Sequence, residues 1–355
     1  MALHVEHTKL GAIHDRMFYK TARMMIADVL GITSEDSLMI LFDSKTPIEV
    51  PRIYSGIATE LGAEVSLIEV PRPPAQQAYF LDLPKPVVAA LKTATALITS
   101  WIVYTDPLAD AIEAGVHTMF IPPGPDVPDM LIRTVGEVNM KKMEREQNKI
   151  AELWTKADEL TIISEIGTDL KADISGIEMR PSKYPPLKPE KGKRWMTMTP
   201  WGTAGGGINS IEGTIVVNGC LGSRHVGVFG IPSEPITMEI KDHRIAKVKG
   251  DSKIWPIWKN YLDTQGDPNS YGFPAHGPSI GLNPNCRVGG PAEWERLRGN
   301  ITFGGGDNSV LRRYGGRRRR YGPLIKAKIH WDLQIFGATL YLDEKLVLEN
   351  GEIKI

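Results

Sequence analysis

The sequence predicts an N-terminal Rossmann-like parallel α/β domain over residues 1–190 and a C-terminal β-rich, β-barrel-like domain over residues 191–355. Three observations carry that reading. The first half alternates short apolar runs with segments of helical spacing. A proline-rich stretch breaks the pattern near residue 181, and beyond it short strands separated by glycines dominate. A chain of 355 residues also exceeds what one typical core organises.

Taken in order, SLMILF (37–42), AEVSLIEV (63–70), TALITSW (95–101) and HTMFIP (117–122) read as strands, because apolar and β-branched residues recur over strand length. VPRIYSGIATELG (50–62) and PKPVVAALKTA (84–94) lie between them with helical spacing. Such alternation requires crossover connections and therefore a largely parallel sheet. Residues 127–157 form a long amphipathic segment, and TIISEIGTDLKADISG (161–176) reads as two short strands. PSKYPPLKPEKGK (181–193) has four prolines and no sustained apolar period, which suits a linker or an exposed crossing. Past it, GTIVVNG, PITMEI, RIAKVKG, NITFGG, AKIHWDLQI, ATLYLD and EKLVLENGEIKI read as strands, with one helix around SKIWPIWKNYLD (252–263).

Composition narrows the function. Lys+Arg and Asp+Glu number 42 each, so no global charge argues for nucleic acid or an anionic membrane. Cys220 and Cys286 are too few for a disulfide framework or a thiolate cluster. The opening MALHVEHTKL lacks the features of a secretory signal, and no apolar run approaches the roughly 18 residues of a spanning helix. A cytoplasmic protein without a membrane partner is expected.

One strand is unusual. In KAKIHWDLQI (326–335), Ile329, Trp331, Leu333 and Ile335 share one parity, while Lys328, His330, Asp332 and Gln334 share the other. Successive strand side chains point to opposite faces, so His330 and Asp332 lie side by side. His276 lies in a stretch dense in glycine and proline, YGFPAHGPSIGLNP, the kind of loop that often carries function. Other histidines have plainer settings: His4, His7 and His14 are near the terminus, and His243 sits in the charged turn KDHR. Two imidazoles and one carboxylate on a β scaffold are the donor set of a facial triad, which leaves adjacent positions open and favours mononuclear Fe(II) oxygen chemistry. A bare His-x-Asp is also the pattern of a hydrogen-bonded pair, and spacing alone favours that pair.

The surroundings change the balance. YGFPAHGPSIGLNPNCR (271–287), RGNITFGGGDN (298–308) and IHWDLQIFGATLYLDEKLVLENGEI (329–353) resemble the thermophilic aminopeptidase superfamily. Within it they resemble the iron-dependent, ring-cleaving 2,5-dihydroxypyridine 5,6-dioxygenase branch. The resemblance runs over nearly the whole chain and is most specific over residues 271–343. It implies a metal site in the interdomain groove, held by His276, His330 and Asp332, which match that branch's ligands. The two-metal aminopeptidases add further ligands that AHGPSIGLNP and NITFGGGDN lack, so a single ion is implied. The resemblance further implies an extradiol-type ring-cleavage dioxygenase with Fe(II) and no organic cofactor. Its partners would be a hydroxylated N-heteroaromatic substrate and dioxygen, and the chain would form a homo-oligomer. The alternative is a metal-dependent hydrolase, with Zn(II) on the same ligands activating water.

Two positions depart from that branch. Its base histidine follows an Arg-Trp pair, and RWMTMTPWG (194–202) has none; its lid histidine corresponds to Thr105 in VYTDPL. Tyr104, His225 and Glu212 are therefore candidates for the base. Arg296 or Arg298 is the counterpart of an arginine that would hold an anionic oxygen.

Three further features have plainer readings. GTAGGGIN (202–209) lacks the Lys-Ser/Thr and the strand–loop–helix frame of a phosphate cradle, and reads as a flexible loop lining the cleft. RRYGGRRRRYGP (312–323) concentrates six arginines in a glycine-rich turn and reads as a solvated hairpin loop. Subunit contact or steering of an anionic substrate is its second reading, ahead of nucleic acid. Trp195, Trp201, Trp255 and Trp258 read as core packing, with one or two available to line an aromatic pocket.

Overall fold

The computed structural model describes residues 9–44, 46–71, 83–100, 105–122, 126–179, 181–188, 193–223, 227–250, 253–272, 276–288, 293–309, 313 and 323–355. The side chains of residues 9–14, 223, 227–229 and 276 fall outside that description. Helix α1 (Lys9–Arg23) and a π-helical turn (Met24–Val29) precede a strand–helix alternation. It runs β1 (Ser37–Asp43), α2 (Glu49–Glu60), β2 (Glu64–Val70), α3 (Lys85–Leu91), β3 (Ala96–Thr99), α4 (Asp106–Glu113) and β4 (His117–Phe120). β1 is buried from Leu38 to Asp43, as a central strand covered on both faces requires.

The stretch expected as one amphipathic segment is broken into α5 (Val127–Leu131), a π-helical turn (Ile132–Gly136) and α6 (Met140–Lys156). Gly136 lies so close to Thr21 that a Cβ there would overlap its hydroxyl. Asn139 then caps α6, its Oδ1 accepting from Lys142 N at 3.0 Å. The predicted strand pair follows as β5 (Glu159–Ser164) and β6 (Asp169–Asp173), and then comes β7 (Met196–Met198). Strands β2-β1-β3-β4-β7, in that order, make a five-stranded parallel sheet.

The remainder is β8 (Thr203–Gly205), β9 (Ser210–Val217), β10 (Leu221–Ser223), β11 (Gly227–Gly230), β12 (Ile236–Lys241), β13 (Arg244–Lys249) and α7 (Ile254–Thr264). After the helix come β14 (His276–Gly281), β15 (Ile301–Gly306), β16 (His330–Ile335), β17 (Ala338–Leu342), β18 (Lys345–Glu349) and β19 (Glu352–Ile353). They build a six-stranded antiparallel sheet, β11-β10-β16-β15-β14-β8, and an eight-stranded one, β13-β12-β9-β6-β5-β17-β18-β19.

Hydrogen bonding crosses residue 190 in both directions. β5 and β6 precede it yet sit inside the eight-stranded sheet, while β7 follows it and edges the parallel sheet. The proline-rich crossing is pinned along its path. Ser182 N donates to Asn148 Oδ1 at 2.7 Å, Tyr184 N to Glu144 Oε2 at 2.9 Å, and Lys188 N to Val29 O at 3.1 Å.

The glycine-rich GTAGGGIN is not the flexible loop expected of it. Its Thr203–Gly205 is strand β8, paired with β14, and a Cβ at Gly205 would overlap the opposing Pro278–Ser279 backbone. Glycine is there because two strands meet closely. One apolar core serves both antiparallel sheets together with α6 and α7, and includes Trp154, Trp258, Phe303 and Trp331. Trp258 meets Trp255 and Trp331 edge to face, with ring centroids 5.2 and 4.9 Å apart. Trp201 is also buried, its Nε1 donating to Thr197 Oγ1 at 2.9 Å. No helix among the described residues is long and apolar enough to cross a membrane.

Candidate metal centre

All six residues of β16 are buried. Trp331, Leu333 and Ile335 enter the apolar core, which leaves His330, Asp332 and Gln334 as a buried polar face. Three polar side chains in a row out of water are costly unless their groups are paired.

The glycines of NITFGGGDN make this face possible. Register places Gly306 opposite His330, Gly304 opposite Asp332 and Gly305 opposite Trp331. On the other side, β10 sets Gly222 opposite Asp332. Asp332 therefore has a glycine directly opposite it in each neighbouring strand. Gly305, on the other face, admits the Trp331 indole, which a Cβ would overlap.

The third expected ligand is placed by its backbone. Position 276 in β14 pairs with Gly304, so it stands two strands from Asp332, about 10 Å away at ordinary strand spacing. Its side chain lies outside the described residues. Among the described residues no group of three or more His, Cys, Asp or Glu side chains forms a metal cage.

The geometry of His330 decides what the pair can do. Its Nδ1 is 3.0 Å from the Asp307 carbonyl, which can only accept, so Nδ1 carries the proton. The lone pair of Nε2 then faces Asp332 Oδ1 at 3.4 Å. Two electron-rich atoms so close call for a cation between them, either a proton or a metal ion. Burial pushes the imidazole's proton affinity down, but the Asp332 carboxylate and the Asp307 carbonyl outweigh it, so the pKa is raised. The residues present also fit a metal. Donors 3.4 Å apart can both touch one divalent ion at the roughly 2.0–2.2 Å of imidazole and carboxylate bonds. A ligand histidine whose other ring nitrogen donates to a backbone carbonyl is the usual arrangement.

The supporting residues were not singled out by the sequence. The Asp307 carboxylate accepts from Ser309 Oγ at 2.8 Å and Ala327 N at 3.2 Å, and Asn308 Oδ1 accepts from Ile325 N at 2.9 Å. The GDN corner thus holds the segment leading into β16. Gln334 donates to the Trp294 carbonyl and accepts from Cys220 N at 3.3 Å, spanning the polar face. Trp294 lies in a 3-10 turn (Trp294–Arg296) that also carries the buried Glu295, whose charge acts on His330. The run of glycines before Asp-Asn was the available signal.

Four of the other expected site residues are described: Arg296, Arg298, Glu212 and Thr105. Arg296 is buried, bonded to Glu295 and donating from Nε to the Pro200 carbonyl at 3.1 Å. Arg298 grips Glu146 of α6 with two bonds of 2.6 and 2.8 Å. Both guanidinium groups are therefore engaged by carboxylates. Glu212 is exposed on β9, opposite Lys171, in the eight-stranded sheet rather than the one carrying the polar face. Thr105 is buried at the N-cap of α4. Tyr104 and His225 fall outside the described residues. Of the arginines in the arginine-rich run only Arg313 is described, and it is docked on α4: it meets Asp106 at 2.9 Å, Asp110 at 2.5 Å and Glu113 at 2.9 Å.

The fold has counterparts among solved structures. The 2,5-dihydroxypyridine dioxygenase from Pseudomonas putida KT2440 superposes with a TM-score of 0.71 at 19% identity, covering 97% of each chain. AmpT from Thermus thermophilus superposes with a TM-score of 0.67 at 13% identity, over 96% of this chain and 100% of that one. At these identities the likeness is one of fold. No curated protein sequence matches the chain. The sequence profile of NicX, 2,5-dihydroxypyridine 5,6-dioxygenase, matches residues 26–355, so the chain belongs to that dioxygenase family.

Proposed function

We propose that this protein is a mononuclear non-haem Fe(II) dioxygenase that opens a hydroxylated N-heteroaromatic ring such as 2,5-dihydroxypyridine by extradiol-type cleavage. His276, His330 and Asp332 would hold the metal. The observation that carries the reading is the convergence of His330 Nε2 and Asp332 Oδ1 at 3.4 Å, with the imidazole's other nitrogen tied to Asp307. Bound there, iron supplies the one-electron chemistry with dioxygen that closed-shell side chains lack.

The chain's own contribution is placement. Burial of His330 and Asp332 keeps bulk water from the donors, and the glycines opposite Asp332, Gly222 and Gly304, put no side chain of their own against it. Asp307 fixes the imidazole's tautomer and angle. Removing the ring-hydroxyl proton enriches the ring in electrons before it meets oxygen. For that step we favour His225, three residues along the chain from Gly222, which pairs with Asp332. Glu212, exposed on the other sheet, is poorly placed for it.

The test is anaerobic purification with metal quantification, followed by oxygen uptake on 2,5-dihydroxypyridine and related rings. One iron per chain and oxygen consumption matching ring loss are expected, with both lost in His330→Ala and Asp332→Ala. Zinc in the site and turnover without oxygen would replace this proposal with the hydrolase reading.

A further inference from the structure

A cavity of about 750 Å³ opens at the amino ends of β1, β3 and β4, between α3 and α4. Ligand pockets span about 300–1,000 Å³, so its size suits a small molecule. Its position is unexpected, since open parallel sheets ordinarily bind ligands at the carboxyl ends of their strands. In this chain the carboxyl end of β7 leads to Pro200, which contacts Arg296 beside the candidate metal centre. The cavity is at the opposite end of the sheet.

The wall is apolar: Val88 and Leu91 come from α3, Pro107 and Ala111 from α4, and Val116 from just before β4. The floor is polar. Asp36 already accepts from Thr33 N at 2.9 Å, Thr33 Oγ1 at 3.1 Å and Thr95 Oγ1 at 2.8 Å. Lys188 Nζ makes an ion pair with Asp36 Oδ2 at 3.8 Å, longer than a hydrogen bond, so the contact is one of charge rather than of N–H donation. Buried His117 lies near Lys193 O, 3.1 Å from its Nε2; the carbonyl accepts, which leaves Nδ1 as an acceptor. Glu35, Lys92 and Asp110 are exposed at the rim, where water screens them, and Asp110 is held by Arg313 at 2.5 Å.

We propose that this cavity is a second ligand site for a small amphipathic carboxylate. Its anionic oxygens would take the donors of Lys188, and its apolar or aromatic body would lie between α3 and α4. The proposal does not depend on the metal chemistry above.

The experiment is isothermal titration of the full chain with phenylacetate, indole-3-acetate and hexanoate, and with neutral phenylacetamide as the control. At least one carboxylate should bind at a single saturable site in the millimolar range or tighter. Phenylacetamide should bind about tenfold or more weaker than phenylacetate, as should any binding carboxylate to Lys188→Met; tenfold corresponds to about 1.4 kcal/mol. Ala114→Trp, at an exposed position of the mouth, should abolish binding while leaving the thermal melt intact. Asp332→Ala should bind as the parent does. No saturable binding by any of the three acids would overturn the proposal. So would binding that survives both Lys188→Met and Ala114→Trp, or binding lost in Asp332→Ala.

Discussion

Asp307 offers its backbone carbonyl to His330 Nδ1 at 3.0 Å while its own carboxylate is held by Ser309 and Ala327. One residue thereby sets both the tautomer of an expected ligand and the entry of β16. Asp307→Ala should keep the fold but loosen the carbonyl. Iron affinity should fall about 10–100-fold, as for other residues behind a ligand. Metal titration with a competing chelator checks this, and Asp307→Asn should recover part of the loss.

Gly305 and Gly337 make a contrasting pair. A Cβ at Gly305 would overlap the Trp331 indole, whereas Gly337 has open space and a left-handed φ of 65°. Gly305→Ala should therefore cost about 3 kcal/mol or more, the upper end of overpacking costs. Gly337→Ala should cost roughly 1–2 kcal/mol, from backbone strain alone. Urea denaturation separates the two, and the order should not reverse.

Arg298 clamps Glu146 through two bonds and is largely covered. It should act on stability rather than on substrate. Arg298→Ala is expected to cost about 1.5–3 kcal/mol, the range for hydrogen bonds to charged groups. The KM for the ring should stay unchanged. A large rise in KM without loss of stability would instead return Arg298 to the substrate.

Asp36 gives a pH prediction. Burial raises its pKa, but hydrogen bonds from Thr33 and Thr95 and the charge of Lys188 outweigh this and hold it below the usual carboxylate value. A depressed folded pKa contributes stability that is full above the unfolded value of about 3.9 and is lost as pH falls through the folded one. Asp36→Asn should therefore be less stable than the parent at neutral pH and lose less stability on acidification below about pH 5. Thermal melts across that range read the difference.

Local pattern alone determined much of this molecule. The alternation of KAKIHWDLQI placed His330 and Asp332 on one strand face, because a strand's period of two depends only on the backbone. The βα alternation likewise specified parallel strands, and β1 to β4 lie where their apolar runs predict. Partners distant in sequence lay beyond local pattern. β5 and β6 read as strands, but their place in the eight-stranded sheet depends on β17 and β9. GTAGGGIN looked like a loop because its glycines accommodate β14, which the local sequence does not contain. Arg298 pairs with Glu146, 152 residues away along the chain, a contact that no local pattern announces. Periodicity acts over a few residues, whereas burial, charge pairing and close backbone approach come into being only when remote segments meet.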